Sequence, residues 1–200
     1  MTRCSLHLLF LMCIAMAAPG DAVSETAYGT LAPTCVLRLV QRFHLNKNDI
    51  VVDLGSGVGN VCRDVSPFVS SCVGYEIDEV RYNISRRLVS SADMLKGPYT
   101  RYTEGLRDFT QPMPANVDFF LRDFRTLTFV RATVVIVHST VFSDSTMHRI
   151  SDIVRASPSV RLVISQKAMD IDDEVDLVEC TFSWSVNSFI NHTMKGYKLK

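Results

Sequence analysis

Apolar positions along the chain switch between two spacings, one suited to helices and one to strands. In residues 34–43, Val36, Leu37, Leu39, Val40 and Phe43 recur at intervals of three to four and predict one apolar helical face. The polar run 46–49 then turns the chain into Ile50-Val51-Val52, an unbroken apolar stretch that predicts a buried strand. A helix is predicted over 58–68, a strand over 72–76, and a second helix over 78–94 with Val80, Ile84, Leu88 and Met94 facing inward. Lys96-Gly97-Pro98 stops it. The stretch 99–116 has no clear period. Beyond it, strands are predicted at 117–121, 133–137 and 161–165, with a helix at 147–155 between the last two. Two further strands, 178–185 and 189–198, follow each other with no helical segment between them. Strands alternating with helices predict a mainly parallel sheet covered on both faces, here closing in an antiparallel hairpin.

Composition narrows the class. The 200 residues are 47% apolar and carry 21 basic against 21 acidic side chains. That is enough apolar material for one domain with a substantial core. A zero net charge gives no field to hold a polyanion, so strong intrinsic nucleic-acid binding is not expected. There is no internal repeat, and no apolar stretch is long enough for a transmembrane helix.

The first 22 residues form an apolar leader and residues 26–200 the domain. Arg3, the apolar stretch 8–18, Ala15-Met16-Ala17 and Pro19-Gly20 have the layout of a secretory signal. The same residues also read as a start assigned too early, or as an apolar segment that packs on the domain. Six cysteines, at 4, 13, 35, 62, 72 and 180, show neither C-x-x-C pairing nor zinc-ligand spacing with histidine, so no metal site is expected. They read as small buried hydrophobes in a reducing compartment. The sequons Asn83-Ile84-Ser85 and Asn191-His192-Thr193 matter only in a secretory setting.

The segment richest in chemistry is Asp53-Leu54-Gly55-Ser56-Gly57-Val58-Gly59, directly after the first buried strand. Glycines at alternate positions permit a sharp turn and a close backbone approach to a ligand. Glu76 ends the second apolar strand about 20 residues on, where a carboxylate can accept the hydroxyls of a ribose. The spacing is G-x-G-x-G rather than the G-x-G-x-x-G of dinucleotide folds. Asp53 would repel a pyrophosphate but suits the sulfonium and ammonium of S-adenosylmethionine, so the loop favours a methyl donor over a nicotinamide dinucleotide. The element order agrees, being that of a class I S-adenosylmethionine-dependent methyltransferase with a Rossmann-like sheet.

The chain closely resembles the disruptor-of-telomeric-silencing (Dot1-like) histone lysine methyltransferases, which lack a SET domain. The resemblance rests on Tyr28-Gly29-Thr30-Leu31-Ala32-Pro33, on Val52 through Asn60, on the segment from Val137 to Phe142, and on Phe182-Ser183-Trp184-Ser185, all in the family's order. It implies that Tyr28, Thr30, Asp53, Gly55, Gly57, Gly59 and Asn60 line the donor, with Asp53, Gly55 and Gly57 at its methionine end. It further implies that Glu76 binds the ribose, and that Asp123 accepts from the adenine amino group with Phe124 against the ring. The implied substrate is a core histone in the nucleosome and the implied location the nucleus; a genuine signal peptide would instead send the chain into the secretory pathway.

Departures from the family cluster where the acceptor should sit. Thr30 stands where the family has glutamate, His138-Ser139 where it has paired asparagines, and Phe189 where it places an aromatic hydroxyl in the lysine channel. These three, His138, Ser139 and Phe189, are the candidate catalytic positions. His138 can act as a hydrogen-bonding partner or proton acceptor for the amine, or simply end a strand as a satisfied polar residue. Three functions are consistent with this pattern: a histone lysine methyltransferase, a catalytically silent domain that keeps the donor, and a secretory-pathway methyltransferase with another acceptor.

Overall fold

The computed structural model describes residues 29–86, 113–129, 131–171, 174–185 and 188–199, with backbone only at 174–175, 181–185 and 188–190. The expected leader, Tyr28 and the stretch 87–112 lie outside the described residues.

One eight-stranded sheet organises the domain. Its strands in chain order are β1 (Thr30–Leu31), β2 (Ile50–Leu54), β3 (Ser71–Glu76), β4 (Val117–Leu121), β5 (Val134–Val137), β6 (Leu162–Ser165), β7 (Glu174–Ser185) and β8 (Ser188–Lys198). Across the sheet they run β1-β7-β8-β6-β5-β2-β3-β4. The five strands from β6 to β4 are parallel, whereas β8 pairs antiparallel with both β6 and β7, and β1 antiparallel with β7. This is the sheet that the alternation of periods predicts. Only β1 is unforeseen, because two residues are too few to carry a period.

Successive residues of the central strands point to opposite faces, and both faces are dry. Val51, Val134, Leu162 and Ile164 join one core cluster under α1 (Pro33–Arg42) and α2 (Asn60–Val65). Val52, Val135 and Val163 join another under α4 (Asp144–Arg155). Burial on two sides is why these strands read as unbroken apolar runs. Helix α1 starts with Pro33, whose fixed φ suits a first helical position. Helix α4 is capped by Ser143, whose hydroxyl accepts from the Thr146 amide at 3.2 Å. At the far end of the sheet Asp49 is buried and takes both arms of the Arg161 guanidinium, at 2.9 and 2.7 Å, fastening β6 to the start of β2.

Four expectations need correction. The helix expected over 58–68 is only six residues long, because the chain needs 55–59 to turn across the sheet edge. Leu37, read as inward, is 41% exposed, and α1 buries Cys35, Val36, Leu39 and Val40 instead. Val80 is likewise exposed; α3 (Glu79–Arg86) turns Arg81, Ile84 and Ser85 inward, since Arg81 lies within 4.0 Å of the Glu76 carboxylate and is drawn to it. Finally, Cys35 and Cys180 are not free hydrophobes but a disulfide, with Cα atoms 5.0 Å apart. No sequence spacing foretold it, since the partners are 145 positions apart and meet only once α1 lies on β7. Cys62 and Cys72 are free and buried, as expected.

Candidate functional site

The glycine loop leaves β2 at the carboxyl edge of the parallel strands and enters α2. Gly55, Gly57 and Gly59 all have positive φ, at 77°, 57° and 86°. Space is as restrictive as conformation. A Cβ on Gly59 would lie 2.3 Å from the Phe119 ring, and one on Gly55 would lie 2.9 Å from that of Phe142. The Gly55 and Ser56 amides both donate to the Tyr75 carbonyl, which ties the loop to the end of β3.

Glu76 organises the next turn. One carboxylate oxygen accepts from the Gly57 amide at 2.7 Å, and the other accepts from the Ile77 and Asp78 amides at 2.9 and 2.8 Å. The carboxylate that the resemblance assigns to a ribose thus already holds two loops in register. The oxygen that accepts from Gly57 keeps lone-pair capacity for a further donor.

Asp53 is 1% exposed at the last turn of β2. The Cys62 thiol approaches one carboxylate oxygen at 3.8 Å, while the other, Oδ1, has no hydrogen-bond partner. The buried Ser56 hydroxyl is equally unpartnered. Desolvation, with repulsion from Glu76 behind it, pushes the Asp53 carboxyl up to about 7. A buried, unsatisfied carboxylate is costly in a ligand-free protein and sensible in one that receives a cation. Asp53, Glu76 and the glycine cradle therefore fit S-adenosylmethionine.

A cationic ligand bound against Asp53 would bind in a proton-linked way. A cation seated against Asp53 selects the ionised carboxylate, so below the folded pKa it must displace a proton. Affinity for S-adenosylmethionine, measured by calorimetry between about pH 6 and pH 8, is expected to fall toward the acid side by up to roughly tenfold per unit. Affinity independent of pH over that range would place the cation elsewhere.

Asp123 follows β4 and caps a short 3-10 turn, Phe124–Thr126. Its carboxylate is held by the Arg125 side chain at 2.8–3.1 Å and by the Arg125 amide, which keeps it below the usual carboxylate range. Phe124 is 9% exposed, with its ring centroid 5.5 Å from that of Phe142. Asn60 donates to the Thr30 hydroxyl at 3.0 Å, joining the first turn of α2 to β1.

Two of the candidate acceptor residues, His138 and Ser139, follow β5 directly, and the third, Phe189, lies on β8. Ser139 is fully buried, facing the Ser165 hydroxyl at 3.3 Å and accepting from the Lys167 amide at 2.9 Å. Thr140 approaches His138 Nε2 at 3.4 Å and donates to Gln166. Burial pushes His138 down to about 4, against a hydrogen bond with the Gly29 backbone that favours the charged ring, while nearby His192 adds repulsion. His138 is therefore neutral near pH 7. Phe189 faces Ser183 across the β7–β8 ladder, and its side chain lies outside the described residues. Among the described residues no cluster of three or more His, Cys, Asp or Glu suits a metal ion, and no helix is long and apolar enough to cross a membrane.

Sequence reasoning passed over Cys62, Phe119 and Phe142, which shape the loop from behind. Gly74 offered a signal, since a glycine inside a strand marks a close approach, and a Cβ there would meet Phe119 at 2.5 Å and Ser56 at 2.6 Å.

Comparison with known proteins places this geometry in a wider group. A family profile described as "Histone methylation protein DOT1" matches residues 20–189. No curated protein sequence matches the chain. Among solved structures, an RNA methyltransferase from Salinibacter ruber in complex with S-adenosyl-L-homocysteine aligns with a TM-score of 0.55 at 18% identity, over 84% of this chain and 92% of its own. The tRNA (m1A58) methyltransferase TrmI from Aquifex aeolicus aligns at 0.56 and 14% identity, over 86% and 70% of the two chains. Magnesium protoporphyrin IX methyltransferase from Synechocystis PCC 6803 with bound SAM aligns at 0.52 and 14% identity, over 83% and 77%. At these identities the likeness is one of fold.

Proposed function

Because the chain belongs to the DOT1 histone methylation family, we propose that it is an S-adenosylmethionine-dependent protein lysine methyltransferase whose acceptor is a core histone in the nucleosome. The observation that carries this reading is the buried Asp53 carboxylate with its unpartnered oxygen, set behind three left-handed glycines. When bound, S-adenosylmethionine supplies a methyl group activated by a cationic sulfur. Asp53 offsets the donor's positive charge, Glu76 holds the ribose, and Asp123 accepts from the adenine amino group beside Phe124. Tyr28, Thr30 and Asn60 complete the wall of the pocket.

Methyl transfer to an amine needs positioning and a deprotonated nucleophile more than covalent help. Desolvation at the carboxyl end of β5 lowers the pKa of an incoming lysine. His138, neutral near pH 7 and too weak a base to hold the ammonium proton, orients the free amine, Ser139 holds the β5 and β6 ends together, and Phe189 walls the channel. With no net charge to steer it toward a DNA-wrapped substrate, turnover should be modest and only mildly salt-dependent.

A single-turnover assay on recombinant nucleosomes, read by mass spectrometry of histone lysines, tests this. Methyl-lysine is expected at a slow rate. The combined variant Thr30→Glu, His138→Asn, Ser139→Asn should raise that rate while changing donor affinity much less. Tight donor binding without any methyl-lysine would leave a silent donor-binding domain.

A second reading is favoured by one observation. A buried disulfide such as Cys35–Cys180 is rare in the nucleus and ordinary in the secretory pathway, and the leader at residues 1–22 supports the same route. On that reading the acceptor is a lysine of a lumenal or secreted protein, and mass spectrometry of the mature N-terminus separates the two.

A further inference from the structure

Four residues, Gly29 to Ala32, bridge the parts of the site that chemistry must bring together. Thr30 accepts from Asn60 at the head of α2, and the Gly29 backbone is hydrogen-bonded to His138 at the end of β5. The arm pairs with β7 at only two positions, Thr30 with Ser183 and Leu31 with Phe182, and buries Leu31 fully in the core. Cys35 sits three residues into α1, immediately after the arm, and Cys180 sits two residues before the Phe182 that Leu31 pairs with. The disulfide therefore bolts down the arm at its own root. Both half-cystines are 1% exposed, so the bond serves no surface.

We propose that the Cys35–Cys180 disulfide is a positioning element for the donor site: it docks the Gly29–Ala32 arm across α2 and β5, so that full donor affinity belongs to the oxidised protein. This rests on the donor-site reading above. Opening the bond with a phosphine consumes one water, gives two thiols and leaves the phosphine as its oxide. The arm then keeps its two ladder positions, its Asn60 and His138 contacts and the burial of Leu31, but it loses the covalent anchor at its root and spends part of its time undocked. Apparent affinity falls in proportion to the docked fraction.

The experiment is calorimetry with S-adenosylhomocysteine on four samples: oxidised wild type, phosphine-reduced wild type, oxidised Thr30→Val, and reduced Thr30→Val. Circular dichroism checks that each is folded at the working temperature. Reduction is expected to weaken binding by about tenfold, the effect of a docked fraction near one in ten. Thr30→Val, which removes the hydroxyl that Asn60 donates to, lowers the docking constant in both forms, so it should weaken the oxidised protein hardly at all, where docking is nearly complete, and the reduced protein in close to full proportion. That non-additivity is what an effect routed through the arm produces, and loss of general stability does not produce it. Should reduction unfold the chain, Cys35→Ser/Cys180→Ser made in both Thr30 backgrounds and measured at lower temperature replaces the reduced samples. Equal affinity with the bond open, or fully additive losses, overturns the proposal. If oxidised wild type binds no S-adenosylhomocysteine, the donor-site reading itself is wrong and the proposal falls with it.

Discussion

Asp53→Asn is expected to remove donor binding while making the ligand-free protein more stable. The carboxylate is buried, faces Glu76, and has one oxygen without a partner, so its ionisation above pH 7 is a cost borne by the fold. A folded pKa near 7, against 3.8 for the model carboxylic acid, corresponds to on the order of 4 kcal/mol at neutral pH. Asparagine avoids the charge but brings an amide that also needs partners, so a net gain of roughly 1–2 kcal/mol is realistic. Because the folded pKa is raised, the penalty is absent below about pH 4, grows between 4 and 7 as the unfolded chain ionises first, and is constant above. Wild-type stability should therefore fall across that window by an amount the variant does not share. Loss of the buried counter-charge should cost the complex about 3 kcal/mol or more, at least 100-fold in affinity. Thermal melts with calorimetry decide it, and a variant that is less stable at pH 8 yet binds normally would remove Asp53 from the site.

Gly57→Val should be as damaging to binding for a different reason. Residue 57 has φ 57°, and its amide donates to Glu76 at 2.7 Å. A β-branched side chain in the left-handed region carries about 1–3 kcal/mol of strain. The loop relieves it by moving, which breaks the Glu76 contact and closes the cradle. Donor binding undetectable by calorimetry, in a protein that still folds, is the expected result. Asparagine tolerates this backbone region, so Gly57→Asn should retain more loop order. Unchanged affinity in the valine variant would show that the donor lies elsewhere.

Much of the architecture was legible because the physics behind it is local. A strand buried on both faces must be mostly apolar, and β2, β5 and β6 are, with Asp53 and Ser165 as exceptions near the carboxyl ends of β2 and β6. A hairpin at the end of a parallel sheet announces itself by two strand-like segments, 178–185 and 189–198, with no helical pattern between them. The glycine loop and Glu76 were legible for the same reason: glycine adopts those φ values far more readily than other residues, and a carboxylate at a strand end needs nearby amides. What escaped was non-local. The partnerless Asp53 oxygen depends on what the fold packs around the end of β2, the exposure of Val80 on Arg81 being drawn to Glu76, and the disulfide on α1 crossing β7. None of these leaves a period or a spacing in the chain.

The place of β8 has a consequence for how the protein is made. It lies between β6 and β7, both of which precede it in the chain. During translation β6 therefore presents a bare, apolar edge until residues 188–198 have emerged, while β7 holds to the rest through β1 and the Cys35–Cys180 bond rather than through the parallel strands. Such an edge invites pairing with other chains. Shielding by a chaperone on the nascent polypeptide, or slow aggregation when synthesis is interrupted before residue 188, is the expected companion of this topology. Fusions and truncations at the carboxyl end should be judged by whether they leave that strand free to slide home.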